Sequence, residues 1–225
     1  MNFWSRTCAI LWKDLRAELR SRETAGTTLV FALLAVLTFS FAFDPAAGTA
    51  RQVLPGVLWV TVFFAGMLGM GRSMANERAA DAFSGLLASP AEPEEVYAGK
   101  FLANLLFTGA VELVEVPVLL ALFRAPAPAG GMGLPAVLAL GTIGYVAVGT
   151  LLAALSANAR AGELLLPLLL LPVAIPVAIG AVEATSALMA GAPPAEWMLW
   201  VRLLAVYDVV MLALPQLLFR YLLEG

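Results

Sequence analysis

The sequence predicts an all-α polytopic membrane protein: six transmembrane helices, an N-terminal amphipathic interfacial helix before them, and a short cytoplasmic coupling helix between spans 2 and 3. Three observations predict it. Of 225 residues, 61% are hydrophobic and 13% charged, against about 25% charged in ordinary soluble domains. Apolar residues fall in six runs, 26–43, 54–71, 101–123, 134–157, 164–182 and 197–223, each near or above the roughly 20 residues a helix needs to cross hydrocarbon. The connections 44–53, 124–133, 158–163 and 183–196 are short and rich in Pro, Gly and Ala. Residues 1–225 therefore read as one transmembrane domain, with 1–25 the interfacial helix, 26–71 the first two spans, 72–100 a cytoplasmic loop and 101–225 the last four spans.

Taken in order, the first 25 residues are too charged for the start of an ordinary signal peptide. On a helical projection Trp4, Cys8, Leu11, Trp12, Leu15 and Leu19 share one face, and Arg6, Lys13, Arg16 and Arg20 the other. That pattern suits a helix lying flat, its apolar face in the lipid bilayer and its basic face towards anionic headgroups. A nucleic-acid-binding arm is not expected, because Asp14, Glu18 and Glu23 interrupt the basic charge.

The long polar segment 72–100 interrupts the apolar runs. It places Phe83, Leu86 and Leu87 on one face of a short helix that Pro90 and Pro93 end. Such a helix, held between two spans, either docks into a groove on a soluble partner or lies on lipid headgroups. With the N-terminus inside, ten basic residues fall on the cytoplasmic side: Arg6, Lys13, Arg16, Arg20, Arg22, Arg72, Arg78, Lys100, Arg160 and Arg220. Only Arg51, Arg124 and Arg202 fall on or near the far side. The positive-inside rule then puts both termini and the 72–100 loop in the cytoplasm.

The fifth span carries Pro167, Pro172 and Pro176. Each removes a backbone donor and favours a kink, so a bent or partly broken helix is expected there, with residues 183–196 dipping back as a re-entrant turn. Glycines in spans two and four favour close helix packing. Glu112 and Glu115 in span three and Asp208 in span six lie away from the span ends. An acidic residue such as Asp at mid-helix costs about 2.5–3.5 kcal/mol on insertion scales, so these carboxyls are expected to face protein or water. Glu112 and Glu115 stand about 60° apart on a helix, near enough to share a proton or a partner. The plainest role is an interhelical hydrogen bond from a protonated carboxyl; the other is a part in a substrate or gating path.

The chain has no histidine and one cysteine, Cys8. Histidine general-base chemistry, histidine-ligated zinc or haem, internal disulfides and cysteine metal clusters are therefore excluded. No catalytic residues, metal ligands or cofactor of the chain's own are expected. The one Gly-Lys pair, Gly99-Lys100, lacks the upstream glycine and following Ser or Thr of a phosphate-binding loop. If ATP drives this protein, a partner chain binds it.

Several blocks resemble one family in the same order: WKDLRAELRSRET, LPGVLWV, ERAADAFSGLLASP, GKFLANLLF, VELVEVP, GTIGYVAVGTLLAALSANARAGELLLPLLLLPVAIP, RLLAVYD and LLFRYLLE. The family is CcmB, the permease subunit of the ABC-type haem exporter of cytochrome c maturation. The loop also resembles that of ABC-2 exporter permeases, in Glu77, Arg78, Leu86, Leu87, Ser89 and Pro90. There Asp81 stands for the usual glycine, Phe83 for the usual leucine and Ser84 for the usual acidic residue. The resemblance implies that residues 77–90 contact the ATPase and that Glu112 and Asp208 match family positions. It implies a homodimer in the cell inner membrane, two CcmA-like ATP-binding subunits, CcmC-like and CcmD-like membrane partners, and indirect action on the haem chaperone CcmE. Haem would be the substrate of the complex. The alternatives are a mechanical subunit that releases haem-loaded chaperone without conducting anything, and an ABC-2 exporter of another hydrophobic substrate.

Overall fold

The structure, a computed structural model, describes residues 2–21, 23–43, 50–79, 92–126, 131–157 and 162–224. Every regular element among them is an α-helix: α1 Phe3–Ser21, α2 Glu23–Ala42, α3 Ala50–Ala79, α4 Pro93–Leu122, α5 Gly133–Ala157, α6 Gly162–Met189 and α7 Pro194–Glu224. The helices α2 to α7 each contain a stretch long and apolar enough to cross a membrane. The all-α, six-span fold expected from hydropathy is borne out.

Two helices form the centre. In α3 and α5, 72% and 67% of the apolar window is buried, against 17–33% in the other four. The α5 helix packs against α3, α4, α6 and α7, while α3 is flanked by α2, α4, α5 and α6. The core runs through Leu58, Trp59, Val62, Tyr145, Val146, Leu151 and Leu170. Close approach is set by glycine: at Gly141 an added Cβ would collide with the indole of Trp59, and at Gly144 with Asp208 and Tyr207.

The structure departs from the sequence reading at several joints. Both ends of the polar 72–100 segment are helical extensions of spans: α3 runs on to Ala79, and α4 begins at Pro93 rather than at Phe101. Hydropathy loses the first turns of α4 because they carry charge, yet that charge builds the helix start. The Glu92 N–H donates to Glu95 Oε2 at 2.8 Å. Pro93 follows where a missing N–H costs nothing. Glu77 and Arg78 belong to the last turn of α3. Asp81, Phe83, Leu86, Leu87, Ser89 and Pro90, with the coupling helix expected on them, lie outside the described residues.

The broken fifth span is not found. Pro167, Pro172 and Pro176 all sit inside the single helix α6. A proline ring crowds the carbonyls of the turn before it, and here a hydroxyl reaches that turn: Tyr207 OH donates to the Val173 carbonyl at 2.9 Å. No re-entrant turn follows either, since α7 starts at Pro194. The α6–α7 corner is a tight reversal in which Gly191 takes φ +71°. The Ala192 N–H closes it on the Ala187 carbonyl at 2.9 Å, the bond of a glycine-ended helix.

The α1 helix has three faces where the sequence suggested two. Trp4, Trp12 and Leu19 remain 62–70% exposed as an apolar stripe. The basic residues Lys13, Arg16 and Arg20 are exposed beside it. The third face, Thr7, Ile10 and Asp14, packs on α4.

Candidate functional site

Two carboxyl groups rise from α4 into the core. Glu115 is fully buried and Glu112 nearly so. Being three residues apart, they diverge to different neighbours instead of sharing one. Thr61 Oγ1 on α3 donates to Glu115 Oε1, and Thr142 Oγ1 on α5 donates to Glu112 Oε1. The pair thus ties α4 to both central helices. Its hydroxyl partners carried no signal of their own in the sequence; they could have been sought only as hydroxyls at matching depth in the neighbouring spans.

Further buried bonds join the same helices. Tyr145 OH donates to the Phe63 carbonyl at 2.5 Å, with the two rings 4.5 Å apart. Trp59 Nε1 donates to Thr185 Oγ1 at 2.9 Å, linking α3 to α6. Tyr97 OH donates to the Ala147 carbonyl at 2.9 Å, and Asn104 Nδ2 to Thr150 Oγ1 at 3.0 Å, linking the N-terminal part of α4 to the C-terminal half of α5. Interhelical bonds in membranes average only about 0.6 kcal/mol each, so this set fixes which helix faces meet more than it stabilises the bundle.

Asp208 on α7 lies against Gly144 of α5 and is 4% exposed. Neither of its carboxyl oxygens has a hydrogen-bond partner among the described residues, and the same holds for Glu115 Oε2 and Thr108 Oγ1. A groove of about 490 Å³ opens between α4 and α5, lined by Leu105, Gly109, Leu113, Leu138 and Ile143, with Glu112 and Thr142 supplying its polar wall. Of the three intramembrane carboxyls, Glu112 and Asp208 therefore lie against α5 and Glu115 against α3. Among the described residues no group of His, Cys, Asp and Glu could hold a metal ion.

A second polar constellation, not foreseen from the sequence, joins α1 to the start of α4. Arg6 Nη1 pairs with Glu95 Oε2 at 3.3 Å. Lys100 Nζ meets Asp14 Oδ2 at 2.8 Å, and Lys13 Nζ meets Asp14 Oδ1 at 3.1 Å. The signal was present as charges in the first turns of a membrane helix, which hydropathy counts only as an interruption.

The fold and the buried bonds between its spans define a polytopic all-α membrane protein. The family model described as CcmB protein matches residues 5–220. The chain is 34% identical over 186 residues to heme exporter protein B of Paracoccus denitrificans, covering 83% of this chain and 85% of that protein. It is 33% identical over 121 residues to heme exporter protein B of Rhodobacter capsulatus, covering 54% of this chain and 56% of that one. The chain belongs to the CcmB family. Membership makes it a membrane component of an ABC transporter system that has other subunits.

Proposed function

We propose that this chain is the permease subunit of an ABC-type haem exporter serving c-type cytochrome biogenesis, driven by ATP hydrolysis in a separate CcmA-like subunit. The observation that carries the reading is the family match over residues 5–220, with relatives named heme exporter protein B. The lack of a phosphate-binding loop in the sequence supports placing ATP in another chain. The permease works as a homodimer in the inner membrane, both termini cytoplasmic, beside CcmC-like and CcmD-like subunits, with one ATPase beneath each copy. The ATPase docks chiefly on residues 77–90, where Leu86 and Leu87 supply the apolar contact.

Haem is the substrate of the complex and not a resident group of this chain, whose sequence has no histidine to ligate the iron. That same absence favours a second reading, in which the subunit moves mechanically to release haem-loaded chaperone and nothing crosses through it. Transport of haem into vesicles containing the permease and its ATPase separates the two: ATP-dependent accumulation supports a conduit. Chaperone release without accumulation supports the releasing machine. ATP-dependent export of another hydrophobic compound, with no effect on haem or chaperone, would overturn both.

Replacing Leu86 and Leu87 with Asp puts charge on the docking face, so the ATPase should no longer co-purify, or its hydrolysis should uncouple. Retained binding and coupling in that variant would remove residues 77–90 as the docking site.

A further inference from the structure

We propose that α1 is a moving part of the drive: Asp14 and Lys100 clamp it to the loop end of α4, so that displacement of the segment entering α4 carries α1 with it along the membrane surface. This rests on the ATP-driven reading above. Asp14 and Lys100 act as positioning residues, with Arg6 and Glu95 as a second tie.

Lys100 is 1% exposed, eight positions into the C-terminal continuation of the 72–100 segment that became α4. A buried ammonium persists only where a partner offsets its lost hydration, and Asp14 of α1 is that partner at 2.8 Å. Nearer the loop, Glu95 is 2% exposed and holds two things at once. Its Oε2 accepts the Glu92 N–H at 2.8 Å, fixing the first turn of α4, and pairs with Arg6 of α1 at 3.3 Å. Between the two ties the backbones close up through Gly99, where an added Cβ would stand 2.8 Å from Ile10 Cβ and 3.1 Å from the Thr7 carbonyl oxygen.

One ion pair would let α1 swivel about its contact. Two pairs, eight residues or about 12 Å apart along α1, fix its direction as well. At its other end α1 is tied to α2, since Glu18 Oε1 accepts the Ala25 N–H at 2.5 Å. A push arriving at Glu92 therefore meets the Glu95–Arg6 and Lys100–Asp14 ties before it reaches the bundle core. The opposite side of α1 presents Trp4, Trp12 and Leu19 outwards, each 62–70% exposed.

Cys8 is the one cysteine of the chain and is exposed on α1, so it reports on this helix without engineering. The experiment labels Cys8 with an environment-sensitive thiol fluorophore in the assembled permease–ATPase complex in vesicles containing anionic phospholipid. Emission is then compared before and after trapping with ATP and vanadate. The expected result is an emission change on trapping that falls by more than half in Asp14→Asn and in Lys100→Gln, with the ATPase still bound, and returns in the double exchange Asp14→Lys with Lys100→Asp. If Lys100→Gln fails to insert, Arg6→Gln, which removes the partly exposed partner of Glu95, should reduce the same response. Emission that does not respond in the wild-type complex while ATP is hydrolysed, or that responds equally in the variants, would show α1 to be a passive anchor and overturn the proposal. A wild-type permease that binds no ATPase would instead refute the ATP-driven reading, and this proposal with it.

Discussion

Thr61 and Thr142 each spend a hydroxyl on a carboxyl group of α4, and those two bonds are where single side chains carry the most information about this molecule. If Glu112 serves only to hold α4 against α5, Glu112→Gln keeps its shape and its hydrogen-bonding capacity, and c-type cytochrome production should persist in cells carrying it. Thr142→Val removes the partner hydroxyl and should cost about 0.6–1.7 kcal/mol in an unfolding titration in detergent. Under the proposed function, production lost in Glu112→Gln, from a protein that still inserts and binds the proposed ATPase, would assign that carboxyl to proton exchange or charge in the working cycle. The presence of the carboxyls, and that they must face protein or water, was legible in the sequence. Their separate partners were not, because Thr61 and Thr142 lie 54 and 30 residues away along the chain and meet α4 only through packing.

At the scale of elements, α6 shows how a helix keeps three prolines without breaking. The missing donors leave the carbonyls of Glu163, Leu168 and Pro172 without their intrahelical N–H, and Tyr207 holds α7 against the same stretch by its bond to the neighbouring Val173 carbonyl. Tyr207→Phe leaves the ring in place and removes that donor, so it should destabilise the bundle by about 0.6–1.7 kcal/mol, and measurement by the same unfolding titration checks it. No measurable loss would mean that the Tyr207–Val173 bond does not help to hold α7 on α6. The start of α4 teaches the converse. Glu94, Glu95 and Lys100 look like loop in a hydropathy window, yet Glu95 and Lys100 are spent on the helix cap and on α1.

For the whole molecule the positive-inside distribution of ten basic residues against three sets the orientation to be tested. Cys8 should react with a membrane-impermeant maleimide only when the cytoplasmic face is opened. Labelling from outside intact cells would invert the topology. With α1 on the reducing cytoplasmic side, as proposed, the lone exposed thiol stays reduced and the chain should run as a monomer on non-reducing gels.

What the sequence determined by itself are the properties that length and composition carry locally: the all-α class, the six spans, the absence of histidine chemistry and the ordered blocks that mark the CcmB family. Span length follows from bilayer thickness and 1.5 Å per residue, and needs no knowledge of neighbours. Only the tertiary structure decided what the polar residues of those spans do. It turned the charged start of α4 into a seat for α1, gave α1 a third face, kept α6 whole and divided Glu112 from Glu115 between two helices. These outcomes depend on which faces meet at equal depth in the bundle, and a buried polar group takes whichever partner packing brings within hydrogen-bond reach.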